Sequence, residues 1–582
     1  MKNLKNILLL TIIVLGLVLR LWQMGAVPAS PDWDEVALGY DAYSIMHTGR
    51  DEFGAFMPAV LRSFDDYKPA LYAYLAIPTI SVFGLTTYAV RLPSVAMGII
   101  GILAMYFLVK ELFNSVILAR ERSERAQNPH KERFWNRFAL QNDELLALVS
   151  ALLLAISPWQ IQFSRTAFET NTGLTFNLLV GLFFLKGLRK PWFLSLSALF
   201  AGLNLMVYQS ERVFTPLLIL ALIIIYWKEL FSLAKKYLVV AVVVGLIAAL
   251  PTVLFIVTNP SSLQRATGTS IFSAQTQLLG NNYVRLKDDK EKGDFIGLLI
   301  DNRRLIYIKD IAAGYLVHFD PNWLFLQGDN PRHHAPGMGN LYLLDLPFLL
   351  LGIYFFLFGA FDKKTKYTIL AWLLLSPVPA AVTIDVPHAV RTMNMLPMLL
   401  ILIAVGWFSA CNYLFLNQKS RIRNQGLRIV VIVIIVLVSL FNFVYYLNQY
   451  FVEQNYFNAS DWQYGYQQAV SSLESMQGQY QHIVVSDVTP MDQSYMFFLF
   501  YLKYPPQEYQ QLVKQGKNLT LNNHQFGKYE FRSFDLTKEK NNGDTLYVGS
   551  VGDFPNHTVA KETISFPNGS PDILIVDPKD NQ

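Results

Sequence analysis

Cysteine is almost missing from the 582 residues: Cys411 stands alone, so no disulfide can form within the chain. Charge is scarce too, at 16% of residues against 53% hydrophobic, and the mean hydropathy is +0.29. Soluble globular proteins carry about a quarter charged residues, so this composition excludes that class and points to a polytopic membrane protein. The chain has no His/Cys cluster with zinc spacing, no Gly-rich nucleotide loop and no Gly-x-Ser-x-Gly elbow. It also lacks an internal repeat and charges near the middle of its apolar runs, which a transporter or flippase of lipid-linked sugars would display. The net charge of +5 bears on topology first, since loop lysines and arginines orient membrane proteins, and it argues nothing for nucleic acid.

Apolar runs long enough to cross about 30 Å of hydrocarbon recur along most of the chain. They predict spans near residues 5–23, 88–110, 144–159, 171–187, 191–208, 213–228, 237–258, 339–360, 368–384, 392–413 and 428–447, about eleven in all. The first follows two lysines and no small-residue cleavage site follows it, so it reads as an uncleaved span. The expected organisation is a transmembrane domain over 1–447, with a first outer loop at 24–87 and a large outer loop at 259–338, then a soluble domain over 448–582. That tail opens with a segment expected to form an amphipathic helix. It continues through "HIVVSD", "TLYVGS" and "DILIVDP", β-branched runs that suggest a small α/β domain. Four Asn-x-Ser/Thr triplets in the tail are read as chance in a chain rich in those residues.

Basic residues fall on alternate connections. "ARERSERAQNPHKERFWNR", "KGLRK", "WKELFSLAKK", "DKKTKY" and "NQKSRIRNQGLR" share one side, which the positive-inside rule makes cytoplasmic. The two long loops, "FSRTAFE", "YQSERVF", "IDVPHAVR" and the tail then lie on the opposite face.

On that outer face sits "SPDWDEVALGY". Asp34 and Glu35 are adjacent, so they point apart on any regular element and each needs its own task. Apolar and aromatic flanks predict an amphipathic helix lying in the membrane interface, with Asp32 a plain surface residue. Lys68 precedes Pro69, which biases it to an extended conformation, and a compact cation there suits a phosphate. Arg165 and Glu169 are spaced to share one helical face. Tyr208, Glu211 and Arg212, then Asp385, His388 and Arg391, cluster at the outer ends of further spans. The adjacent His333 and His334 read as a loop feature, because neighbours in sequence rarely ligate one ion. Carboxylates plus several cations suit transfer from a phosphate-activated substrate: a carboxylate takes a proton from the acceptor, and cations stabilise charge on the departing phosphate.

These pieces together resemble the GT-C superfamily of polytopic glycosyltransferases, on the side of bacterial relatives of protein O-mannosyltransferases and of the lipid A aminoarabinose transferase. The matching residues are Asp34-Glu35, "DYKPALYAYLAIP" at 66–78, "YAVRLPS" at 88–94, "FSRTAFE" at 163–169 and "PHAVR" at 387–391, over about the first 410 residues. Lys68-Pro69-Ala70 stands where the family often has Lys-Pro-Pro. The resemblance implies a GT-C fold and inverting transfer outside the membrane from a polyprenyl-phosphate sugar, with sugar and acceptor unspecified. It implies Asp34 as catalytic base, with Glu35 and Glu169 orienting the substrates. Lys68, Arg91 and Arg391 would hold the donor phosphate, and Tyr40, Tyr67, Arg165, Tyr208, Glu211, Arg212 and His388 would line the substrate sites. No cofactor is required by the sequence. Some members of the superfamily place a divalent ion near the first-loop carboxylate and others do without. The tail has no match within the resemblance.

Overall fold

The computed structural model describes residues 2–581 apart from 65, 124–142, 260–267, 274–276, 360, 416–424, 477, 521 and 540–543. The basic connections at 119–137 and 417–428 lie largely outside the described residues.

A helix lies over each of the eleven predicted spans. Among the described residues, five helices are long and apolar enough to cross a membrane: Asn3–Leu21, Thr87–Phe113, Lys235–Thr258, Met393–Cys411 and Gly426–Asn458. Asp143–Ile156 and Pro158–Arg165 pass the same test when taken together as one span, with a 57° bend between them. Ser157 and Pro158 explain the bend, because proline removes a backbone donor and disfavours helix in the residue before it. Shorter apolar helices cover Leu71–Phe83, Phe193–Asn204 and Asp345–Phe358. The first of these falls inside the segment expected to be an outer loop.

The chain divides into two compact units. One comprises Met1–Leu19, Gly98–Ile161 and Thr170–Tyr445. Its helices close on small residues. A Cβ on Gly352 would strike the carbonyl of Leu402, and one on Gly406 would strike that of Phe348, so Asp345–Phe358 and Leu396–Phe415 pack backbone to backbone. Gly202 does the same against Gly245 and Ala248. Close approach at small residues is how helices gain packing where lipid offers no hydrophobic drive.

The other unit comprises Arg20–Met97, Gln162–Glu169 and Tyr446–Gln582. The expected boundary at 447 therefore separates segments that the structure gathers into one body. The hairpin of β1 (Val60–Ser63) and β2 (Asp66–Pro69) lies between α2 (Trp33–Thr48) and α3 (Leu71–Phe83), and the unit also takes in the end of α1 (Lys2–Leu21) and the start of α4 (Thr87–Ser123). In the tail, a mixed sheet has the strand order β4-β5-β3-β6-β8-β7. The strands are β3 (His482–Val485), β4 (His524–Phe526), β5 (Tyr529–Phe531), β6 (Thr545–Ser550), β7 (Glu562–Ser565) and β8 (Pro571–Val576). Strand β3 pairs parallel with both β5 and β6, and the remaining pairs are antiparallel. The expected amphipathic helix at the start of the tail is instead broken into short pieces, with Gln463 in the left-handed region at φ 44° between Ser460–Trp462 and Tyr466–Ser475.

One core serves residues 24–87 and the tail. Val36, Tyr40, Tyr72 and Ala76 are buried with Phe498, Phe500, Tyr509 and Phe531. Gly39 lets α2 approach, since a Cβ there would sit 2.8 Å from the Phe500 ring. Gln510 Nε2 donates to Ser44 Oγ at 3.0 Å and to the Asp51 carbonyl at 2.9 Å. Helix α2 is thus buried along most of its length rather than lying at an interface, because tail helices Ser494–Tyr501 and Pro506–Lys514 cover it.

Candidate active site

The site residues nearest the opening motif are set by a helix cap. Asp32 is the N-cap of α2: Glu35 N–H donates to Asp32 Oδ1 at 2.9 Å, and Asp32 N–H donates to Glu35 Oε2 at 3.2 Å. This reciprocal box satisfies two of the donors a helix leaves open at its start. Asp32 is therefore buried and structural, contrary to its reading as a surface residue.

The cap turns the two following carboxylates apart. Glu35 is fully committed: Oε1 accepts from Arg91 Nε at 2.9 Å and from Ala167 N–H at 2.7 Å, and Oε2 accepts from Arg91 Nη2 at 2.9 Å. The rest of the Arg91 guanidinium holds the carbonyls of Met24, Pro28 and Ser30. Arg91 has no exposure, and all its donors are used, so it clamps the segment before α2 instead of meeting a donor phosphate. Glu35 likewise acts on the loop rather than on substrate.

Asp34 is different. Its side chain keeps 31% of its exposure and pairs with Lys68, which is only 7% exposed. Strand β2 delivers that lysine extended, as Pro69 predicts, and its ammonium also lies 5.0 Å from the Phe64 ring centroid. Sitting in the first turn of α2, Asp34 further benefits from the helix dipole. The first-loop pair does not fit a divalent ion: Asp34 faces an ammonium and Glu35 is taken by Arg91. Tyr67 stands beside Lys68 on β2, half-buried.

Arg165 and Glu169 do not share a helical face. A helix ends at Arg165 and the next begins at Glu169, the break falling where Ala167 N–H reaches Glu35. Arg165 is buried, donates to the carbonyls of Arg20 and Val27, and lies over the rings of Tyr450 and Phe451. Glu169 is buried at its helix start. Tyr40 is core, donating to the Tyr504 carbonyl at 3.0 Å, and so does not line a substrate site.

Behind α2 lies an acidic group that the motifs did not single out. Asp41 and Glu52 are wholly buried, and Asp41 Oδ1 accepts Glu52 N–H at 3.1 Å. Burial, then mutual repulsion with Asp51, pushes Asp41 well above the ordinary carboxyl pKa. Burial, then Asp41 and Asp51, does the same to Glu52.

The remaining predicted residues belong to the other unit. Glu211 is a buried node, accepting from Asn177 Nδ2 at 2.6 Å and Asn394 Nδ2 at 2.8 Å, so it ties helices together rather than contacting substrate. Arg212 donates to the Leu205 carbonyl and to Gln209 Oε1, and Tyr208 is half-buried in the turn before it. Arg391 donates to Thr383 Oγ1 at 2.6 Å and approaches the Asp385 carboxylate at 3.8 Å. His388 lies beside His333 and Asp329, the one group of three metal-ligating side chains found among the described residues. Sequence spacing hid this group because His388 comes from a distant segment. The Asp329–His333 step of four residues was the only local sign.

The architecture is the GT-C fold. Over 99% of this chain and 97% of the other, the structure is similar to ArnT from Cupriavidus metallidurans bound to undecaprenyl phosphate, with TM-score 0.51 and 13% identity. The apo state of that protein matches equally well. A looser likeness, TM-score 0.49 at 10% identity over 94% and 69%, is to the archaeal oligosaccharyltransferase AglB from Archaeoglobus fulgidus in complex with an inhibitory peptide and a dolichol-phosphate. No family model and no curated relative matches the sequence.

Proposed function

We propose that this chain is an integral membrane glycosyltransferase that moves a sugar, hexosyl or pentosyl, from a polyprenyl-phosphate-linked donor to an acceptor outside the cytoplasm, with inversion. The observation that carries this reading is the division of labour at the start of α2: Glu35 is locked to Arg91, while its neighbour Asp34 stays partly exposed beside a buried lysine. Support comes from the shared fold with ArnT, a lipid A aminoarabinose transferase whose structure holds undecaprenyl phosphate.

In this reading Asp34 accepts the proton of the acceptor hydroxyl as its oxygen attacks the anomeric carbon. The bond from that carbon to the phosphate oxygen breaks, and the electron pair leaves with the polyprenyl phosphate. Lys68 shifts from Asp34 toward the departing phosphate, freeing the carboxylate as negative charge accumulates there. The chain crosses the plasma membrane about eleven times, with its basic connections inside and Asp34 and the tail outside. Residues 448–582 serve to brace the loop that carries Asp34.

Mass spectrometry of envelope lipids and glycans, with and without the gene, tests the reading. Loss of one sugar substituent, restored by the wild-type gene but not by Asp34→Asn, is the expected result. Loss of the substituent together with accumulation of lipid-linked sugar on the cytoplasmic leaflet, rather than the outer one, would instead mark a flippase.

A further inference from the structure

Asp329, His333 and His388 belong to one unit, and their ligand atoms all lie within 4.8 Å of one another. His333 Nδ1 is 3.1 Å from Asp329 Oδ2, and the His333 and His388 ring centroids are 5.1 Å apart. Two donor atoms are left over: Asp329 Oδ1 and His388 Nδ1 are buried without a hydrogen-bond partner among the described residues. A simple Asp–His pair would need neither His388 nor the second carboxylate oxygen.

The group is braced from behind. Asp329 Oδ2 accepts Ala389 N–H at 2.6 Å, and His388 N–H donates to His318 Nε2 at 3.2 Å. That acceptor role fixes the proton of His318 on Nδ1, which donates to the Gly314 carbonyl at 2.7 Å. Outer contacts of this kind orient the ligands of metal sites. Two imidazoles and one carboxylate form a three-ligand set that suits zinc and leaves a fourth position for water or a substrate oxygen. Magnesium and calcium prefer oxygen ligands throughout.

We propose that Asp329, His333 and His388 bind a divalent transition metal, zinc in the first instance, joining the end of the large outer loop to the segment that carries Arg391. Ligands of a bound zinc stand about 3–4 Å apart, so small side-chain rotations close the group around an ion. This inference does not depend on the transferase reading.

The full-length protein, purified in detergent after growth with zinc and passed through a desalting column, is assayed for metal by mass spectrometry. About one zinc per chain is expected, falling at least tenfold in His333→Ala/His388→Ala. EDTA should lower the unfolding midpoint of the wild type and leave that of the double variant unmoved. The near-isosteric Asp329→Asn provides a gentler variant should the double substitution fail to fold, and it should show reduced zinc in a monodisperse protein. Wild-type protein that takes up no more zinc, manganese, cobalt or nickel than a folded variant would overturn the proposal. So would zinc uptake unaffected by all these substitutions.

Discussion

At the scale of single residues, stability and activity turn on which charged groups are committed within the fold. Removing one partner of a buried ion pair leaves the other charge uncompensated, at a cost of about 3–5 kcal/mol. Arg91→Ala should therefore lower stability by about that amount, and urea or thermal unfolding in detergent measures it. A variant that folds normally and only weakens donor binding would restore Arg91 to the phosphate site. Glu52 makes a second prediction. A carboxyl with a higher pKa folded than unfolded binds protons more tightly in the folded state, so its stability contribution is complete at acid pH and is lost as pH rises through the folded value. The unfolding midpoint should then fall from the ordinary carboxyl range toward neutral pH, and Glu52→Gln should flatten that slope by removing one of the shifted groups. An unchanged slope in Glu52→Gln would contradict the assignment.

At the scale of elements, α2 is the piece on which the rest depends. A side chain larger than hydrogen at Gly39 would meet Val90 and Phe500, so Gly39→Leu should cost about 1–3 kcal/mol or more and make the tail cleavable by protease under native conditions. Wild-type protease resistance would show that the contact is dispensable. Apolar length made the long helices legible in the sequence, and β-branched runs made β3, β6 and β8 legible. The strands β4, β5 and β7 were not, because three- or four-residue strands such as "HQF" and "ETIS" carry no periodic signal and depend on their neighbours. The same limit applied to α2. Its aromatic and apolar residues read as an interfacial face, but the covering segment is far away in the sequence, Tyr40 bonding Tyr504 across 464 residues, and no local pattern announces it.

For the whole molecule, the sequence motifs located Asp34, Lys68 and Glu169 in one body of the fold, yet they could not separate residues that hold the loop from residues left available to substrate. Glu35, Arg91, Tyr40 and Glu211 share the motif positions of active residues and turn out to be structural, because partner availability is decided by packing. Asp34 and Lys68 pair with each other, and Asp34 keeps part of its exposure. The most direct measurement is transfer of a radiolabelled sugar from polyprenyl-phosphate donor in membranes containing wild-type or Asp34→Asn protein, matched for expression and unfolding midpoint. Loss of a positioned general base predicts a rate about 10²–10⁴-fold lower in the variant. Transfer at the wild-type rate by folded Asp34→Asn would contradict the account.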